Sequence, residues 1–483
     1  MKRRPTLKLF LLLFITSIPL LAIWALANPM FASPDEPAHM VRAQGAVRGD
    51  FKEPYLTDGV PTGAVTCMSF QWDISADCMD LTWSDASSPR FSTTDTYPPM
   101  FHFIAGIPSL FFERLTGAYV MRLWMASVCA ALFALAGTIL LMRNASRWTV
   151  AALAMSTTPM VVFTMATVNP SGITAALSAL LWASGLSLCR PGLRSPSGLT
   201  KVAFIGTVVL FPLLRRDALA WEIVVLAVLV VLAGRRRLAE LRRDRALTTA
   251  FIVAVLNMAW VWFSWSSTAT DSFVSNSAVH GGGSWASGFG SLYTYLLQMI
   301  GWFGWLDSPM TSETFVLLIV ALATFVILGV TADKTTERRG AILLLFGIII
   351  IPTLIGAVRF PYVQGRYLFP IFIGLMFLIG HSIATADLPR QFQRRIFSVL
   401  MGILALVHFF AFAQNLRRYT VGRTGTWRFF TEARWHPPMM SNLTAIILAI
   451  GAILLSVFCY GRVVSGLESG MTFDSATDVE AVK

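Results

Sequence analysis

Charged residues are scarce in this chain: Asp, Glu, Lys and Arg make up 13% of its 483 residues, about half the share usual in soluble domains. Apolar residues fill the deficit, at 55% of the total. They gather into separate runs of roughly 15 to 22, the length a helix needs to cross a hydrocarbon core of about 30 Å. Together these features exclude a soluble globule and read as an all-α polytopic membrane protein. Runs of alternating polarity about ten residues long are missing, which excludes a membrane β-barrel. No GxxxxGK[ST], GxGxxG or GxSxG motif occurs, which argues against a nucleotide-driven transporter or a hydrolase. No His/Cys/Asp set has the spacing of a structural zinc site. Cysteine is sparse as well, with five in all. Cys129, Cys189 and Cys459 lie in or at the end of apolar runs and read as small packing residues. Cys67 and Cys78 share one polar loop and suit a disulfide if that loop faces an oxidising compartment, with two free thiols as the alternative.

What charge there is carries a net +12, clustered between the apolar runs and not interleaved with aromatics. That pattern is a topology signal, not a nucleic-acid surface. Lys2, Arg3, Arg4 and Lys8 precede the apolar run Leu9 to Ala27, which lacks a small-residue cleavage site and is long enough to span. Residues 1–27 are therefore expected to be an uncleaved first transmembrane helix with a cytoplasmic N-terminus. Residues 28–116 form an extended first extracytoplasmic loop with 11 acidic and five basic residues. It includes Met100 to Phe112, too short to span comfortably and suited to an interfacial or re-entrant position. Residues 117–462 supply the rest of about twelve spans, with further outer loops at 266–312 and 414–441. Residues 463–483 are an acidic cytoplasmic tail expected to be disordered.

On this topology 23 of the 38 Lys and Arg are cytoplasmic. Leaving aside the first loop and Arg122, the exceptions are concentrated: Arg215 with Arg216; Arg359 with Arg366; and Arg417, Arg418, Arg423, Arg428 and Arg434. Outer loops normally lack such clusters. An anionic ligand is preferred over a topology error, because moving any one loop inside breaks the alternation of its neighbours. Arg offers phosphate oxygens a rigid planar fork that cannot lose its charge, and anchoring to anionic lipid headgroups is the plainer alternative.

The stretch Pro34-Asp35-Glu36-Pro37-Ala38-His39 follows the first span at once and places two carboxylates and an imidazole at a membrane exit, a functional hypothesis by default. The pair could be a general base, a cation site, or a cap on a short helix from Glu36 to Arg48. Two acids and a histidine leave a weak divalent site open. Among the outer aromatics, Trp302 and Trp305 could stack on sugar rings or belong to the interfacial belt.

Four motifs together resemble the family called domain of unknown function 2142: Pro34 to His39, Asn169-Pro170-Ser171-Gly172, Gly301-Trp302-Phe303-Gly304-Trp305-Leu306-Asp307, and Gln364-Gly365-Arg366-Tyr367. That family looks like the polytopic glycosyltransferases of the C fold class, so the resemblance implies a GT-C-like fold. It also implies an inverting transferase that takes a sugar from a polyprenyl-phosphate carrier at the outer face of a bacterial plasma membrane. The acceptor would be an envelope glycan, lipid or protein, with membrane lipid around it and no nucleic acid; the oligomeric state stays open. Carried over by position, Asp35 is the base, Glu36 its understudy or an acceptor ligand, and His39 a positioning residue. Arg366 is the donor-phosphate ligand, grouped with Arg359, Arg215, Arg216 and Tyr367. Trp302, Trp305, Asp307, Asn169 and Tyr97 are sugar or acceptor contacts. No cofactor is firmly implied, and the Arg-rich loop around Arg423 maps onto no shared motif. The alternatives are a secondary transporter or flippase, or a non-catalytic export scaffold.

Overall fold

Asn169 opens the helix that the others surround. In the computed structural model its side chain accepts from the Ser171 amide at 2.9 Å, capping α7 (Pro170–Cys189) with proline in the first turn, where a missing N–H costs nothing. Every residue of α7 is buried. The chain is described over residues 4–468 except 52–54, 58–60, 62–66, 84–87, 91, 93, 95–96, 191–196, 216, 266–284, 333–335 and 358–363.

Around α7 pack α4 (Arg114–Arg143), α14 (Phe369–Ala384), α8 (Gly198–Leu210) and α9 (Ala218–Arg242), while α1 (Arg4–Ala27) bridges α4 and the last helix, α16 (Asn442–Glu468). The α7–α14 contact is set by Gly374, where a Cβ would stand 2.2 Å from the Trp182 ring, and by the indole donating to Pro370 O at 2.8 Å. Lipid-facing helices are far less buried. Only 17% of the apolar window of α10 (Arg245–Trp265) is covered, and Trp262 and Phe263 lie open on it.

Among the described residues nine helices are long and apolar enough to cross a membrane, or ten if one bent pair counts as a span. The expected count of about twelve also takes in the short α8 and a helix that opens on three charged residues. One apolar run, from Arg147 to Met165, breaks into α5 (Arg147–Ser156) and α6 (Pro159–Met165) with a 66° bend. Pro159 cannot continue the helix before it, and Thr158 caps the new one by accepting from Val161 N. The α8 arm is short even with its 3-10 extension to Leu213. α13 (Thr336–Ala357) opens on Glu337, Arg338 and Arg339.

The rest of the set is α11 (Trp285–Gly301), α12 (Ser312–Thr331) and α15 (Arg390–Val421), joined by short pieces at one end of the bundle. There α2 (Glu36–Val47) packs on α3 (Met100–Gly106), which with its 3-10 continuation to Leu110 forms most of the short run expected at 100–112. Two antiparallel hairpins complete this end: β1 (Tyr55–Thr57) with β2 (Ser88–Arg90), and β3 (Trp302–Phe303) with β4 (Ser308–Pro309). Beneath them Trp24 of α1 meets Phe163, Phe303 and Phe412 with centroids 5.1 to 6.0 Å apart, pinning the 302–309 hairpin to the core. At the other extreme α16 runs on to Glu468, which pairs with Arg394 at 2.8 Å. The expected tail therefore begins later than 463, and residues 469–483 lie outside the described residues.

Candidate active site

Asp35 stands at the N-cap position of α2 in the left-handed region, φ 62° and ψ 5°, and its side chain makes no capping hydrogen bond. The cap reading is thereby set aside. The carboxylate is 43% exposed, with Oδ2 3.7 Å from Arg366 Nη2, an ion-pair distance too long for a hydrogen bond. Arg366 is itself buried, and its Nε and Nη1 have no partner among the described residues. The Oε1 of its neighbour Gln364 is also buried and unpartnered among them. A buried guanidinium with idle donors is costly, and its cheapest remedy is an anion placed against it.

Local sequence explains how Arg366 is delivered. Gly365 donates its N–H to Gln298 Oε1 at 2.9 Å and lies so close to α11 that a Cβ would stand 2.0 Å from Tyr295 O and 2.6 Å from Met299 N. Gly365→Ala would meet backbone that cannot swing aside. It is expected to cost about 1–3 kcal/mol by overpacking and to displace Arg366, read as a lower melting temperature together with weaker anion binding.

Arg215 lines the same space. It is buried, donates to Ser171 Oγ at 2.8 Å, approaches Asp217 Oδ1 at 2.5 Å, and lies over the Tyr367 ring at 4.2 Å and the Tyr97 ring at 5.9 Å. The Asp217 contact is an ion pair and not a hydrogen bond, since Arg215 Nε lies off the donor line. Tyr97 and Tyr367 thus serve as aromatic walls for the cations. Arg216 and Arg359, expected in this group, lie outside the described residues.

His39 is buried and meets His102, with Nδ1 3.1 Å from Nε2. Burial, then the Arg366, Arg215 and Arg42 charges, hold the His39 imidazole well below its ordinary range; burial, then His39 and Arg42, do the same to His102. Both rings are neutral at pH 7 and fill space behind Asp35 without adding charge. Sequence reasoning missed His102, because a lone His in an apolar run carries no signal.

Glu36 is a correction. Expected as a second acid or an acceptor ligand, it is fully buried and accepts from Arg122 Nε at 2.8 Å, Arg122 Nη2 at 2.6 Å and Val168 N at 3.0 Å. Arg122 also donates to the carbonyls of Ala25, Asn28 and Pro29. The pair therefore clamps the end of α1 to the start of α2, which holds the strained Asp35 turn. Asn169 is corrected likewise. It is buried, and it donates to Ser33 Oγ at 3.3 Å and Pro34 O at 3.1 Å, so it positions the motif and touches no open space.

The third motif holds the rim of the site. Trp305 Nε1 donates to Phe31 O at 3.0 Å and Trp302 Nε1 to Leu306 O at 2.9 Å. Asp307 is also corrected: it is buried against Arg418 at 3.3 Å, not open to a sugar. Among the described residues, four of the five non-glycine positions with positive φ, Phe31, Asp35, Phe70 and Leu306, belong to this shell. Such conformations cost of order 1–3 kcal/mol each and persist only where the surroundings over-determine them.

The Arg-rich loop also finds a place. Cys67 and Cys78 are disulfide-bonded with Cα atoms 6.2 Å apart, and Arg418 donates to Met68, Gln71 and Ile74 carbonyls inside that loop. Arg417 bonds Gly425 O and lies 4.3 Å over Trp427, and Thr424 bonds Asp73. These residues build a clasp over the disulfide loop; Arg428 and Arg434 are exposed. Among the described residues no three His, Cys, Asp or Glu converge as a metal site.

A family model described as "Predicted membrane protein (DUF2142)" matches residues 19–375. No curated protein matches the chain. Among solved structures the chain is similar to ArnT from Cupriavidus metallidurans in two states. In the apo state the identity is 15%, with 94% of this chain and 77% of that one covered and a TM-score of 0.44. In the state bound to undecaprenyl phosphate the identity is 14%, with 96% and 77% covered and a TM-score of 0.46.

Proposed function

The chain belongs to the DUF2142 family of membrane proteins, and from that premise we propose that it is an inverting glycosyltransferase using a polyprenyl-phosphate sugar. Its site would open on the extracytoplasmic face of a bacterial inner membrane, with both termini cytoplasmic. The observation that carries the reading is the pairing of an uncapped, half-exposed carboxylate, Asp35, with a buried guanidinium, Arg366, whose Nε and Nη1 are idle among the described residues. Sugar transfer from a phosphate carrier needs both: a base beside the acceptor hydroxyl and fixed positive charge on the leaving phosphate.

In this mechanism the acceptor oxygen bonds to the anomeric carbon as Asp35 takes its proton. The bond from that carbon to the carrier oxygen breaks on the opposite face, and its electron pair leaves with the phosphate. Arg366 and Arg215 stabilise the growing negative charge, while the neutral His39–His102 pair excludes water behind the base. The first loop, residues 28–116, supplies the base, the 302–309 hairpin holds the rim, and the bundle supplies the phosphate ligands.

The test is transfer of radiolabel from polyprenyl-phosphate sugars to an acceptor by the purified protein. Removing a charged hydrogen-bond donor typically costs about 1.5–3 kcal/mol, so Arg366→Gln should raise the donor KM roughly tenfold to a hundredfold. A donor KM and a kcat both unchanged would remove Arg366 from the site. The transporter or flippase reading draws on Glu222, a buried acid of α9 whose two carboxyl oxygens lack partners among the described residues. It predicts label crossing a vesicle membrane with no new glycosidic bond.

A further inference from the structure

The end of the bundle away from Asp35 holds a second polar space. α14 carries Arg366 just before its first turn and His381 near its last, about 22 Å along the axis. α4 likewise runs about 32 Å from Arg122 to Arg143. At that far end a pocket of about 750 Å³ is lined by Arg143, Arg190, Arg236 and Arg237 against Glu240 and Glu337, with His381 and Asn144. Four arginines against two glutamates leave an excess of two positive charges on the lining.

The walls are built, not merely collected. Glu337 Oε1 draws Arg143 Nη2 to 3.2 Å, Arg190 Nε to 3.4 Å and His381 Nε2 to 3.3 Å. Arg143 also donates to Arg190 O at 2.8 Å and lies 3.1 Å from His381 Nδ1. Arg237 is tied to Leu188 O at 2.8 Å and Glu240 at 2.7 Å. Two guanidinium groups remain open. Arg190 is 41% exposed and partnered among the described residues through Nε alone, and Arg236 is 97% exposed with its nearest carboxylate 3.9 Å away.

α9 is interrupted here. Gly234 adopts φ 69° and ψ 169°, outside the helical region, so the helix breaks just before Arg235. The exposed Arg235, Arg236, Arg242 and Arg243 follow the break, and the exposed Val230 and Val231 lie one turn before it. A lipid-facing apolar surface thus leads directly to a basic pocket at a helix end.

We propose that this pocket binds a phosphate group, with Arg190 and Arg236 as the open forks and Arg143 and Arg237 as the fixed floor. Planar guanidinium pairs match tetrahedral phosphate oxygens. Basic pockets between transmembrane helices are the usual seat of anionic headgroups. The phosphate comes either from an anionic phospholipid or from a free phosphate in the adjoining aqueous phase. The site is independent of the donor site and requires no transferase activity.

The test is thermal unfolding of the full chain in nanodiscs of phosphatidylcholine, with phosphatidylglycerol added in one arm and millimolar inorganic phosphate in the other. The wild type should gain several degrees in at least one arm: with lipid only if the headgroup is the source, with phosphate as well if the free anion suffices. Arg190→Ala/Arg236→Ala should lose most of that gain while melting as the wild type does in phosphatidylcholine alone. If that variant melts early, Arg190→Lys/Arg236→Lys keeps the charge without the fork and should lose part of the gain. No gain in either arm, or a gain left intact by the substitutions, overturns the proposal.

Discussion

Asp35→Asn is expected to lower kcat for sugar transfer by roughly 10²- to 10⁴-fold, the usual contribution of a general base, with the donor KM and the melting temperature nearly unchanged. The structure makes this a clean substitution. Asp35 caps nothing and meets Arg366 only at 3.7 Å, so stability hardly depends on its charge. Its left-handed backbone, φ 62°, is one that Asn adopts as readily as Asp. Asp35→Glu is less clean, because a longer side chain strains the same turn and carries the carboxylate past its place. Steady-state transfer kinetics beside a melting curve check the point. Wild-type turnover in the Asn variant would remove the base and leave Arg366 without a catalytic partner.

The second large effect is on stability. Glu36 and Arg122 are both fully buried and meet through two hydrogen bonds at 2.6 and 2.8 Å. Truncating one member of such a pair leaves the other charged and unpaired, which typically costs about 3–5 kcal/mol. Glu36→Gln and Arg122→Met should each lower unfolding stability on that scale, measured by thermal or denaturant unfolding in detergent. The double variant should lose less than the sum of the two, because the second change removes a charge already stranded. Transfer activity should fall in all three, since Arg122 also ties the carbonyls of Ala25, Asn28 and Pro29 that shape the turn before Asp35. Singles as stable as the wild type would mean the clamp holds nothing.

These two outcomes separate adjacent residues that the sequence could not tell apart. Asp35 and Glu36 are both acids after a proline at a membrane exit, and either could be the base. Only the path of α4 decides, because it brings Arg122, 86 positions later, under one carboxylate and not the other. The same logic applies to the arginines at this end of the bundle. Arg366 and Arg418 look equivalent as basic residues near helix ends, yet among the described residues both terminal nitrogens of Arg418 are taken by three carbonyls and Asp307 and only its Nε lacks a partner, while Arg366 has Nε and Nη1 to spare.

What the sequence determined alone was the class of molecule and where its motifs lie. Apolar runs of spanning length and charge at their ends are local properties, and a helix in lipid must satisfy its own backbone within the run. The four motifs that carry the family resemblance are short and contiguous too. The tertiary structure decided which polar residues stay open. It assigned Glu36, Asn169 and Asp307 to holding the site and left Asp35 and Arg366 facing each other across 331 positions of sequence. That division depends on which buried charges find partners, and in a low-dielectric bundle a partner is fixed by the packing of helices distant in sequence, not by neighbours along the chain.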